Sequence, residues 1–189
     1  MVEDGAKIYA PAHISDGSHI CRGATLMPGC VVKNSYVGAE TVVFSSTLCS
    51  AHISARCTVG PYAYLRPNAY LCENCRVGSF VEIKNSVLSE GVKVAHLTYV
   101  GDADVGAGTN VGCGVVFANY DGKSKFRSKI GEKCFIGCNC NIVAPVNVAA
   151  GCYIAAGTTL TKNLNENDFC IGRSREKIKE NGAAERYGG

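Results

Sequence analysis

The chain has 189 residues, a formal net charge of +3, 22 Gly, 12 Cys and no Trp. That length suits one domain with a full core. No stretch of eighteen apolar residues occurs, which excludes a membrane-spanning helix; the mild charge points to neither nucleic acid nor a membrane surface as a partner; and an N-terminus without a basic, apolar leader pattern predicts a cytoplasmic protein.

From the N-terminus onward, aliphatic residues recur every six positions. One run is Ile8, Ile14, Ile20, Leu26, Val32; a second is Val59, Leu65, Leu71, Val77, Ile83; a third is Ile130, Ile136, Ile142, Val148, Ile154, Leu160. The step drops to five from Val32 to Val37 and from Val100 to Val105, and one break, Phe117 to Ile130, spans thirteen residues. Six is not a multiple of the helical 3.6, but it fits the strand period of two. The fourth residue after each aliphatic is usually small, as at Ala12, Ser18, Ala24, Ala69 and Thr158. Large and small side chains therefore alternate on an inward face, with glycine-bearing turns between short strands. This is the hexapeptide pattern of a parallel β-helix, a triangular prism with three hexads in each coil. About nine coils at ~4.8 Å each predict a prism on the order of 45 Å tall. Resemblance to the hexapeptide class further implies a left-handed winding, against the usual crossover preference. The expected architecture is all-β: a β-helix over residues 1–172, with a loop at about 118–129 that leaves the prism wall, and a basic C-terminal arm over 173–189.

The cysteines fit that pattern. Cys72 and Cys75 form a CxxC pair, and Cys134, Cys138 and Cys140 cluster, but no second CxxC follows at zinc-finger spacing. Cys30, Cys57, Cys75, Cys134, Cys140 and Cys152 fall on the small inward position, where a reduced thiol packs as a compact hydrophobe.

Further along, Arg66 and Lys84 stand eighteen residues apart, one coil, and should share a corner on adjacent coils. Like charges so placed suit an anion, Arg through its planar fork and Lys as a point charge; two solvated surface cations are the plainer alternative. Glu82 and Tyr64 form a parallel eighteen-residue pair. Asp102 lies another eighteen residues on, with its register blurred by the five-residue step. His96, one coil beyond the basic pair, is either a general base or a satisfied structural residue. The thirteen-residue gap carries Asn119, Tyr120 and Lys125 on a loop, beside a turn dipeptide at Asp121-Gly122. Gly108, Gly112 and Gly114 before it read as turn glycines, since no strand-to-helix unit follows. The arm holds Arg173, Arg175, Lys177 and Lys179; it is expected to cap the open prism end or to meet the phosphates of a coenzyme.

The segments Gly60-Pro-Tyr-Ala-Tyr-Leu-Arg-Pro67, Val77-Gly-Ser-Phe-Val-Glu-Ile-Lys84, His96-Leu-Thr-Tyr-Val-Gly-Asp-Ala103, Asn119-Tyr-Asp-Gly122, Ile142-Val-Ala-Pro145 and Ile154-Ala-Ala-Gly-Thr-Thr159 resemble the glucosamine-1-phosphate N-acetyltransferase domain family. These domains occur at the C-terminus of the bifunctional bacterial enzymes that make UDP-N-acetylglucosamine. The resemblance covers residues 59–175; residues 1–58 match only in hexapeptide style. It implies acetyl transfer from acetyl-CoA to an amino-sugar phosphate in a homotrimer with sites between subunits. Arg66, Lys84, Tyr99, Asn110 and Lys125 would hold the sugar phosphate, with Lys125 acting across a subunit boundary. Glu82 would contact the sugar or orient its neighbours, His96 would be the base, and Asn119 and Tyr120 would line the reacting centre. Cys138, Ala156 and Arg173 would lie along the coenzyme A path, with Cys138 standing where the family commonly has Ser. No metal is expected for this step. No nucleotidyltransferase domain precedes the helix, so no uridylyltransferase activity is expected. The alternatives are a non-catalytic trimeric scaffold that binds a sugar phosphate or nucleotide sugar, and an acetyltransferase acting on another amino sugar. A zinc hydratase on the same fold would need three converging histidines, and the chain has only His13, His19, His52 and His96.

Overall fold

The structure is a computed structural model describing residues 1–15 and 17–187; Gly188 and Gly189, the last residues of the expected arm, lie outside the described residues. The chain winds as a left-handed parallel β-helix of about ten turns. Among the described residues the three prism walls are parallel sheets of ten, nine and eight strands. The first wall runs from Lys7–Ile8 to Phe169–Cys170, the second from His13–Ser15 to Thr159–Leu160, and the third from His19–Ile20 to Asn147–Val148.

The six-residue period shows directly as burial. Leu26, Leu48, Ile53, Leu65, Leu71, Ile83, Ile136 and Ile154 all point inward and are fully buried. The small positions lie between them: Cys30, Cys57, Cys75, Cys134, Cys140 and Cys152 are each 2% exposed or less. Burial pushes the Cys30, Cys134 and Cys140 thiols upward, keeping them protonated and packed rather than nucleophilic. Each strand pairs with its counterpart one coil away, as Leu65 with Ile83 and Ile136 with Ile154. Coil length is adjusted at the corners. Arg76 follows Thr58 by 18 residues, Lys93 follows Arg76 by 17, and the five-residue steps seen in the sequence are these shortened corners.

At the corner between the second and third walls, Asn34, Ser50, Asn68, Asn85 and Asp102 all take left-handed backbone angles, with φ between 45 and 62°. Asn and Asp tolerate that region because their short polar side chains bond locally. Buried hydroxyls close the neighbouring gaps: Ser86 Oγ donates to the Lys84 carbonyl at 2.8 Å, and Thr98 Oγ1 to the His96 carbonyl at 2.6 Å.

The thirteen-residue gap is a loop between the strands Val116–Ala118 and Ser128–Ile130, slightly shorter than expected because both flanking strands run on. Residues 171–181 are exposed in this chain, followed by a helix over Gly182–Tyr187. Gly172 N–H donates to Thr158 Oγ1 at 3.1 Å and Arg173 Nη1 to the Ala156 carbonyl at 2.8 Å, which tie the start of this segment to the prism.

Close approach between coils makes particular glycines obligatory. A Cβ on Gly78 would sit 1.9 Å from the Ala95 carbonyl oxygen, on the strand that ends at His96. Gly78→Ala should therefore destabilise the prism by about 1–3 kcal/mol through overpacking, read as a lower urea midpoint with unchanged slope; an unaltered midpoint would mean the two coils are free to part.

Candidate active site

The second wall carries the basic pair. The register of Leu65 with Ile83 sets Arg66 beside Lys84 on adjacent strands, about 4.8 Å apart at the backbone. Neither is a free surface cation. Arg66 Nη1 donates to Glu82 Oε1 at 2.7 Å, and Lys84 Nζ lies 4.0 Å from Asp102 Oδ2. The Glu82 hydrogen bond raises the Arg66 pKa. Tyr99 stands opposite Glu82, and its ring folds over Gly101, whose added Cβ would lie 2.3 Å from the phenol oxygen. The missing side chain at Gly101 thus lets the phenol reach toward Lys84.

The loop completes this cluster from within the same chain. It is an ordered hairpin with a Tyr120–Lys125 bridge; Asp121 Oδ1 accepts the Lys123 and Ser124 amides at 2.8 and 2.7 Å. Phe126 N–H donates to the Asn119 carbonyl at 2.8 Å, and Arg127 clamps the far end onto Asp104 and the Asn85 carbonyl. This fold-back brings Lys125 against Lys84. Its ammonium is the main cause that lowers the Lys84 pKa, followed by desolvation, with Asp102 opposing. Three cations thus gather beside two carboxylates, Glu82 and Asp102. Lys125 therefore meets the basic pair within the same chain. Tyr120 is exposed beside it, its hydroxyl donating to the Gly122 carbonyl at 2.7 Å.

Asp102 is the hub beneath the cations. It is 7% exposed and accepts hydrogen bonds from the Asn85 and Asn119 side-chain amides. Burial raises its pKa, but those two bonds and the charges of Lys84 and Lys125 outweigh burial and hold it below the ordinary carboxylate value. Asn119 is itself 7% exposed, with its amide nitrogen on Asp102. Its side-chain amide thus holds this carboxylate in place.

His96 is placed differently from the expectation of an imidazole close above the cation pair. Its strand, Lys93–His96, belongs to the first wall, so His96 sits at the corner leading into the second wall, while Lys84 sits at that wall's far edge. Five residues separate His96 from Gly101, the partner of Lys84, which is at most about 16 Å along the wall. Its ring is exposed and, among the described residues, unheld by any hydrogen bond. Above His96 runs a column along the same corner. The register of Val94 with Val111 carries Cys113 onto His96; Asn139 N–H donates to the Cys113 carbonyl and Gly157 N–H to the Cys138 carbonyl, each at 2.8 Å; and Arg173 reaches Ala156. Cys138, Ala156 and Arg173 are all exposed there. The expected coenzyme residues and the expected base thus share one corner, and the anion cluster holds the other. Asn110 joins neither group: it lies on the first wall between Lys93 and Phe135.

Sequence reasoning missed Asn85 and underused Asp102, because a five-residue step hid their corner register. It also missed a groove of about 650 Å³ on the third wall, lined by His19, Tyr36, His52 and Tyr70. No three histidines converge among the described residues.

Comparison with known proteins agrees with the fold. Residues 50–85 and 127–162 match the bacterial transferase hexapeptide (six repeats) family. The chain is 44% identical over 176 residues to the bifunctional protein GlmU of Clostridium novyi, covering 93% of this chain and 38% of that protein. It is 48% identical over 177 residues to GlmU of Nitratidesulfovibrio vulgaris, covering 93% and 39%. The chain thus spans about two-fifths of the length of the curated relatives it matches. Among solved structures, the UDP-N-acetylglucosamine acyltransferase LpxA of Bacteroides fragilis superposes with a TM-score of 0.56 at 19% identity, covering 99% of this chain and 78% of that one. LpxA of Acinetobacter baumannii gives 0.51 at 14%, covering 91% and 71%. The chain therefore belongs to the hexapeptide-repeat transferase family and is homologous, over nearly all of its length, to a part of the GlmU proteins.

Proposed function

We propose that this chain transfers an acetyl group from acetyl-CoA to the amine of an amino-sugar phosphate, with glucosamine-1-phosphate as acceptor. The observation that carries this reading is the division of the second wall: Arg66, Lys84, Lys125 and Tyr99 gather at one edge, and His96 stands at the other beneath the Cys113, Cys138, Ala156 and Arg173 column. A phosphate held by the cations would carry the sugar across the wall toward His96, and a coenzyme along the column would bring its thioester to the same corner.

The chemistry follows from that layout. The amine attacks the thioester carbonyl carbon only when unprotonated, so His96 takes its proton. The tetrahedral oxyanion is met by backbone amides near Cys113. Collapse expels the coenzyme A thiolate, which takes the proton back from the imidazolium. Anchoring the phosphate turns the encounter of amine and thioester into an intramolecular event. Glu82 and Asp102 hold Arg66 and Lys84 in place before substrate arrives, and Asn119 holds Asp102. Cys138 is a weaker donor than the Ser common at this position, so it contacts the coenzyme chiefly by packing. Asn110 faces away from this wall, and the open wall has no cover within one chain. Both features support a homotrimer in which a neighbour's first wall, with its Asn110, closes the site.

In a thiol-release assay with acetyl-CoA and glucosamine-1-phosphate, His96→Ala should lose about 10²–10⁴-fold in kcat with an unchanged melting temperature, because the side chain is exposed. Full turnover in that variant would remove the proposed base. Binding of sugar phosphate without any acetyl transfer by the wild-type chain would favour the scaffold alternative. Lys84→Ala should weaken sugar-phosphate affinity by roughly ten- to a hundredfold, the worth of one charged hydrogen bond of about 1.5–3 kcal/mol; equal affinity by calorimetry would place the phosphate elsewhere.

Asp102 adds a pH signature. A depressed carboxylate contributes stability that is full above its unfolded pKa of about 4 and is lost as pH falls through its lower native value. Asp102→Asn should lower the melting temperature at neutral pH and flatten the acid limb below about pH 4. An acid limb identical to that of the wild type would argue against a charged Asp102 in the native state.

A further inference from the structure

At the opposite end of the prism from the coenzyme column, three potential ligands converge that the transferase chemistry does not use. Val2 bridges Ile20 in parallel, and Glu3 N–H donates to the Ile20 carbonyl at 2.9 Å, which lays the N-terminal segment along the edge of the third wall. That register brings the Glu3 carboxylate beside His19 and Cys21. One carboxylate oxygen, the imidazole nitrogen and the thiol sulfur all lie within 4.8 Å of one another. Among the described residues this is the one cluster of three such groups. Glu3 Oε1 is 2.7 Å from His19 Nε2, and Glu3 Oε2 accepts the Arg22 backbone N–H at 2.9 Å.

We propose that Glu3, His19 and Cys21 form a binding site for a zinc-class divalent cation. Mixed thiolate, imidazole and carboxylate donors are the set that borderline-soft Zn²⁺ selects over Mg²⁺ or Ca²⁺. The groups already converge, two of them on one strand edge and the third pinned by a backbone amide, an outer contact of the kind that orients metal-ligating carboxylates. The Tyr36 ring packs against His19 in a T-shaped contact, with centroids 5.2 Å apart, and limits the imidazole's swing. Cys21 is 6% exposed, so its sulfur sits on the protein side, whereas His19 also lines the third-wall groove and gives the ion a solvent-side approach. On binding, the Cys21 thiol releases its proton to solvent, and the hydrogen bond between Glu3 and His19 gives way to two metal bonds. Three protein ligands leave a fourth position for water. The ion would tie the first residues of the chain to the next coil, at the end of the prism where strand pairing stops.

The test uses the full chain stripped with a chelator and titrated with Co²⁺, then Zn²⁺. One equivalent of Co²⁺ should produce a thiolate-to-cobalt charge-transfer band that Zn²⁺ abolishes, and Zn²⁺ should raise the melting temperature. Cys21→Ser should lose the band, and Glu3→Gln should bind at least about tenfold more weakly, no less than the loss from removing an outer contact; the melting temperatures of the metal-free variants show that both remain folded. Cys72→Ser, a cysteine outside the cluster, should behave as wild type. A wild-type chain that takes up no stoichiometric metal would overturn the proposal. So would a band that survives Cys21→Ser or disappears in Cys72→Ser.

Discussion

Each coil of this prism buries its inward side chains only against the coil before it and the coil after it. The whole structure rests on that one-dimensional stacking, in which strand must lie over strand in register. The alternation of large residues such as Leu65 and Ile83 with small ones such as Cys57 and Cys75 fills a triangular section too narrow for two large side chains on one level. Because the stacking fixes register, it also fixes which outward side chains meet, and chemistry on the surface follows from packing inside.

The anion cluster shows this coupling. Arg66 and Lys84 neighbour each other because Leu65 and Ile83 stack. Their mutual repulsion is held by Glu82 and Asp102, and Asp102 is held in turn by Asn85 and Asn119. Asp102 reaches Lys84 because it directly follows Gly101, the strand partner of Lys84, in a left-handed corner conformation. The loop then adds Lys125 through contacts of its own, closed by the clamp of Arg127 on Asp104.

Outward aromatic residues also stack coil upon coil. Tyr36, His52 and Tyr70 lie face to face at 4.5 and 4.4 Å on the third wall, and Phe135, Tyr153 and Phe169 form a second ladder near the last coils of the first wall. Planar rings at offsets close to the strand spacing add stabilisation beyond their burial. Exposed aromatics on a solenoid therefore do not by themselves mark a binding surface; stacking along the coil axis accounts for them.

The six-residue period by itself determined the all-β prism, its inward residues, the packed role of the six cysteines and the pairing of Arg66 with Lys84, because all of these depend on regular repetition that a single sequence displays. The left-handed winding came from resemblance to the hexapeptide class. Tertiary structure decided what depends on irregularity. Shortened corners set the partnership of Asp102 with Asn85 and put His96 on the edge opposite the cations. The hairpin's fold-back took Lys125 to Lys84 and turned Asn119 inward. The pairing of Val2 with Ile20 brought Glu3 to His19 and Cys21. Corners absorb a shortened coil while the walls keep their register, as Val77, Val94 and Val111 show, and composition or period alone carries no record of which corner side chains then meet.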